Sequence, residues 1–142
     1  MNNNREIKFR VWSKSCKSFC ENFHFSGFLD ELFEDDPELV FQQFTGIYDE
    51  SGWPIFEGDI VEYYFYTAIS RDEKSPDKSI DEVKYSKLGE WCLGKMTIGM
   101  LLSFVYMNRI GKNTAELDIE EAIQKLRLRI IGTVFENPEL LN

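Results

Sequence analysis

The stretch LVFQQFTGIYDESGWPIFEGDIVEYYFY, residues 39–66, decides the fold. Val, Ile and aromatic residues crowd it, and two groups of turn formers, Asp49-Glu50-Ser51-Gly52 and Glu57-Gly58-Asp59, interrupt it. It therefore reads as strands over 39–48, 53–56 and 60–66, with Gly52 placed where a left-handed conformation ends the first reversal. Two hairpins share one stretch, and Trp53 is expected at an exposed hairpin tip.

Upstream, residues 5–12 alternate, with Ile7, Phe9 and Val11 on one face and Lys8, Arg10 and Trp12 on the other, the period of a half-buried strand. A weaker strand follows over 18–25, and a short helix or turn over 26–38 that stops at Pro37. Downstream, the polar SRDEKSPDKS at 70–79 reads as an exposed loop. Residues 80–85 and 90–93 flank SKLG and form a further hairpin, with Val83, Tyr85 and Trp91 as inward candidates. The run IGMLLSFVYM at 98–107 is apolar enough for a buried helix or a strand, and its periodicity leaves both open. Asp118 and Glu121 have capping-box spacing, and Ile119, Ala122, Ile123 and Leu126 mark one helical face. Residues 126–135 return to alternation, with Gly132 at a bulge or close contact. The expected fold is mainly β with short helical additions: a small twisted β-barrel-like domain built from hairpins, with α+β as second choice. The 142 residues make one domain, 1–142, carrying the loop at 70–79 and a helical insert over about 96–126.

The formal charge of −9 is unevenly placed. Residues 21–70 hold twelve acids and no Lys or Arg, whereas residues 1–20 carry a net +4. Such a surface repels phosphate backbones, so nonspecific nucleic-acid binding is disfavoured. A basic stripe would form only if the strand with Arg5, Lys8 and Arg10 lay beside the one with Arg127 and Arg129. No apolar run reaches the roughly 20 residues of a membrane span, and the start MNNNREIKFR lacks a signal-peptide core, so a cytoplasmic protein is expected.

No reaction emerges from the motifs. Cys16, Cys20 and His24 are spaced by four, with Cys92 as a candidate fourth ligand. On a strand, positions four apart lie about 13 Å from one another, too far to share a zinc ion, so free thiols are the better reading. His24 between two phenylalanines reads as an ordinary strand histidine, and the chain has no nucleophile elbow, P-loop or dinucleotide fingerprint. The acids from Asp30 to Glu38 lack the alternation and central glycine of a calcium loop. The expectation is a protein that is not an enzyme and uses no metal or cofactor.

Three stretches, REIKFRVW at 5–12, FQQFTGIYDESGWPIFEGDIVEY at 41–63 and RIIGTVFENPELL at 129–141, together resemble the YopX family of small phage and prophage proteins. Thr45-Gly46, Glu57-Gly58-Asp59-Ile60-Val61 and Glu136-Asn137-Pro138-Glu139-Leu140 carry the resemblance in that order. Trp53 departs from it, standing where the family's hairpin usually carries a polar residue. The resemblance implies a β-rich protein of phage or prophage origin whose role is uncharacterised, with no catalytic residues to carry over. Its expected function is that of a non-catalytic interaction module. An unidentified protein partner, or a second copy in a homo-oligomer, would meet Trp53, Tyr48, Asp49 and Glu50. The alternative is a nucleic-acid-binding accessory or regulatory protein that contacts its target through Arg5, Lys8, Arg10, Arg127 and Arg129.

Overall fold

A computed structural model describes residues 6–21, 37–65, 77–107 and 118–142. In chain order these form β1 (Phe9–Ser13), β2 (Ser18–Phe19), β3 (Leu39–Tyr48), β4 (Pro54–Phe56), β5 (Asp59–Phe65), β6 (Asp77–Tyr85), β7 (Trp91–Leu93) and β8 (Met96–Thr97). Two helices follow, α1 (Ile98–Met107) and α2 (Ile119–Leu126), then β9 (Arg129–Thr133) and a closing 3-10 turn over Pro138–Leu141. Arg5, His24, the helix expected within 26–36, Tyr66 and the loop over 70–76 lie outside the described residues.

The strands form two antiparallel sheets, ordered β2-β1-β3-β4 and β8-β7-β6-β5-β9. The fold is mainly β with short helical additions, and one sheet curls into half a barrel. Of the two hairpins read from residues 39–66, β3 and β4 pair as one, whereas β4 and β5 do not pair: the Glu57–Gly58 turn between them carries the chain from the first sheet to the second. That turn needs glycine twice over. Gly58 has φ +82°, and a Cβ there would fall on the side-chain amide of Gln42.

The core lies between the second sheet and the helices. Val61 and Tyr63 of β5, Val83 of β6 and Leu93 of β7 meet Leu101 and Val105 of α1 and Ala122 and Leu126 of α2, with Ile55 of β4 added from the first sheet. Each helix thus buries residues four apart, one stripe of its surface. For α1 the helical choice is set locally: Thr97 Oγ1 accepts the Met100 N–H, the bond of an N-cap, and Ser103 Oγ returns a hydrogen bond to the Gly99 carbonyl. Truncating Leu101 to alanine in such a core costs about 2–5 kcal/mol.

Several expectations need correction. Residues 77–79, read as loop, belong to β6, where they pair with Tyr63, Tyr64 and Phe65; cross-strand pairing outweighs their low strand propensity. Tyr85 is not inward but 50% exposed, at the end of the β6–β7 pairing and tilted against Trp91. Asp118 makes no capping hydrogen bond from its side chain. On β1, Ile7 and Phe9 are exposed while Val11 and Trp12 are both buried. The face assigned to solvent by alternation is covered instead, since Trp12 stacks on Phe135 with centroids 4.9 Å apart.

Candidate interaction cleft

Arg10 sits on β1 beside the point where the two sheets meet. Its Nε donates to Gln42 Oε1 at 2.8 Å, and its Nη2 donates to the Glu57 carbonyl at 3.2 Å and lies 2.8 Å from Asp59 Oδ1. Phe19 covers one side of the guanidinium and Phe56 another, with centroids 4.6 and 4.9 Å from its central carbon. Asp59 is 1% exposed, and its Oδ2 accepts the Phe56 N–H. Burial pushes the Asp59 carboxyl above the ordinary carboxylate value, and the Arg10 charge opposes that shift. Desolvation likewise lowers Arg10, with Asp59 opposing.

A second buried carboxylate lies nearby. Asp49 Oδ1 accepts the N–H groups of Ser51 and Trp53, each at 2.9 Å, and Oδ2 accepts the Ile130 N–H at 3.3 Å. One side chain therefore closes the 49–53 turn and ties it to β9 in the other sheet. The Glu50 N–H adds a bond to the Leu128 carbonyl at 2.8 Å. This leaves Trp53 68% exposed at the hairpin tip, as expected.

Between these two carboxylates opens a cleft of about 500 Å³. Trp53, Phe56 and Ile130 give it apolar walls, while Arg10, Asp59 and Glu136 give it charge. Glu136 is exposed and is held by Thr133, whose Oγ1 donates to Glu136 Oε1 and accepts the Glu136 N–H. Behind the rim, Gly132 lets Asn137 come close: a Cβ there would stand 2.6 Å from Asn137 Oδ1. All three stretches that carry the family resemblance thus converge here. Arg10 comes from the first, Gln42, Phe56, Gly58 and Asp59 from the second, and Ile130, Gly132 and Glu136 from the third.

The expected interaction residues are divided by this geometry. Trp53 stands on the rim of the cleft, but Asp49 is buried and fully engaged with backbone donors, so it shapes the turn and offers little to a partner. Tyr48 and Glu50 instead line a separate cavity of about 420 Å³ with Glu120 and Arg127. Tyr48 donates to Glu6 Oε2 at 2.9 Å. The contribution of Glu136, Phe56 and Asp59 went unread, although the Glu57-Gly58-Asp59 and Glu136-Asn137 blocks were the available signal.

The basic residues are not gathered into a stripe by strand pairing. β1 pairs with β2 and β3, whereas β9 pairs with β5. Lys8 pairs with Glu6, Arg10 with Asp59, Arg127 with Glu50 at 3.6 Å and Arg129 with Glu62. Lys78 and Arg129 hold the Glu62 carboxyl below its usual range, the hydrogen bond from Lys78 being the larger cause. Arg5 lies outside the described residues. Among those residues, no group of three or more His, Cys, Asp or Glu side chains could hold a metal ion. Cys16, Cys20 and Cys92 are free thiols, the last buried in β7 of the other sheet. No described helix is long and apolar enough to cross a membrane.

Fold and cleft together define a class, a small hairpin-built β domain with helices packed on one sheet. Within that class the chain belongs to the YopX family, whose description, YopX protein, matches residues 20–142. A solved structure, the crystal structure of protein EF1440 from Enterococcus faecalis, is similar with a TM-score of 0.55 over 96% of this chain and 99% of that one. At 22% identity the likeness shows the fold. No curated protein matches the chain.

Proposed function

We propose that this YopX-family protein is a non-catalytic, phage- or prophage-derived interaction module that works in the cytoplasm and binds another protein at the Trp53 cleft. The observation that carries the proposal is Trp53, a large indole 68% exposed on a backbone that the Asp49 carboxylate holds rigid. Aromatic side chains fixed in the open beside a cavity are the usual anchors of protein interfaces, since little ordering remains to be done on binding. The test is a photo-crosslinking side chain placed at position 53 and, as a control, at the exposed Glu139. A discrete protein adduct formed from position 53 alone is expected in the host cell. Adducts of equal yield from both positions, or none, would remove the proposal. The nucleic-acid alternative gains little, because every described base named for it stands within 4 Å of a carboxylate. Low-salt gel shifts with no retarded band are the expected companion result.

A further inference from the structure

We infer that the guest of this cleft is an arginine side chain of the partner, with its stem against Trp53 and its guanidinium on Glu136, an inference that rests on the interaction reading above. The first reason is charge. One base and three acids, Asp49, Asp59 and Glu136, line the cavity, and the base is already paired. Arg10 has rings packed against its guanidinium, and its Nε and Nη2 face Gln42, the Glu57 carbonyl and Asp59, so an incoming anion would have to settle beside the buried carboxylate that already balances this charge. A cation meets an exposed carboxylate: Glu136 makes no ion pair within 4 Å among the described residues, the Arg10 charge acts on it only from beyond that distance, and no described donor reaches its Oε2.

Shape selects the kind of cation. About 500 Å³ falls within the roughly 300–1,000 Å³ typical of pockets that enclose an elongated organic group. The walls formed by Trp53, Pro54, Phe56 and Ile130 are apolar, which suits a methylene stem better than a hydrated ion. A guanidinium can lie flat on an indole and present paired donors to a carboxylate, whereas an ammonium offers a point charge.

The test uses the full chain and a blocked probe, N-acetyl-arginine N-methylamide, followed by the indole N–H signals in NMR. Trp12 is buried and Trp91 half-buried in β7, so they serve as internal references. The expected result is a saturable shift of the Trp53 signal with a dissociation constant on the order of millimolar. The neutral citrulline analogue should bind at least about fivefold more weakly, and Glu136→Gln, which keeps the oxygen bonded to Thr133, should weaken the arginine probe roughly fivefold. Glu120→Gln, in the separate cavity, should leave it unchanged. Equal binding of citrulline, an unchanged affinity in Glu136→Gln, or tighter binding of the matching glutamate probe or of spermidine would each overturn the assignment. A photo-adduct at position 53 without arginine preference would sink the guest's chemistry and leave the interaction module standing. Loss of both would remove the two together.

Discussion

Asp49 and Asp59 are two buried carboxylates at one cleft, and they are satisfied by different means. Asp49 makes no ion pair among the described residues; three backbone N–H groups satisfy it. Asp59 has a single backbone donor and depends on Arg10, and Oδ1 lies 2.8 Å from Nη2 yet outside hydrogen-bond geometry. At that distance the charges attract whatever the angle. The difference is one of chemistry, since both carboxylates tie one sheet to the other. Asp49 does so with neutral backbone donors, as far away as Ile130, whereas Asp59 does so with a charge from Arg10, 49 residues away.

The largest effect should come from breaking the charge pair. Arg10→Met leaves Asp59 buried without its cation and should cost about 3–5 kcal/mol in urea unfolding. Adding Asp59→Leu in the same chain should recover a substantial part of that loss; no recovery would mean that the rings and Gln42, not the charge pair, carry the stability. Asp49→Ala comes next. It strands three donors, two of them near water, and should cost about 2–3 kcal/mol with little dependence on salt. Gly58→Ala forces a side chain into a left-handed residue and displaces Gln42, for about 1–2 kcal/mol. Trp53→Ala should change stability by less than about 0.5 kcal/mol, since its ring is mostly in water; a larger loss would show that the indole is structural.

Acidity sharpens the same contrast. Because the Asp59 carboxyl lies higher in the folded chain than in the unfolded one, the folded state holds the extra proton between the two values. Its contribution therefore favours folding at the acid end and is lost as pH rises from the ordinary carboxylate range through the raised value. Glu62 works in the reverse sense: its lowered carboxyl adds stability above the usual range, and that contribution disappears as pH falls. Urea midpoints measured upward from about pH 4 should thus climb more steeply in Asp59→Asn than in the parent protein. Parallel profiles would mean that Asp59 titrates alike folded and unfolded.

The β3–β4 hairpin and the turn after it were legible because their signals are local. Gly52 and Gly58 have the positive φ their turns require, and the strands on either side of them are dense in branched and aromatic residues. Helix α2 was legible by its period, whereas α1 was not, since ten mostly apolar residues fit either period and only the Thr97 cap decides. The cleft was hidden for a different reason. Alternation along one strand groups Arg10 with Lys8 and Trp12, but it cannot reveal that Phe19, Phe56 and, from the second sheet, Asp59 close around the guanidinium. Asp49 and Trp53 are neighbours in sequence, yet one is sequestered and the other displayed, an outcome set by a hydrogen bond to Ile130 some 81 residues away.

The border of the second sheet has one more implication. β9 is the last strand on its side, and Asp49 and the Glu50 N–H occupy the amide of Ile130 and the carbonyl of Leu128. A visiting polypeptide finds those groups already engaged and cannot prolong the ribbon there. Whatever docks at this corner must be recognised by the tips of its side chains, and stacking of copies into fibres along that margin is discouraged by the same two bonds.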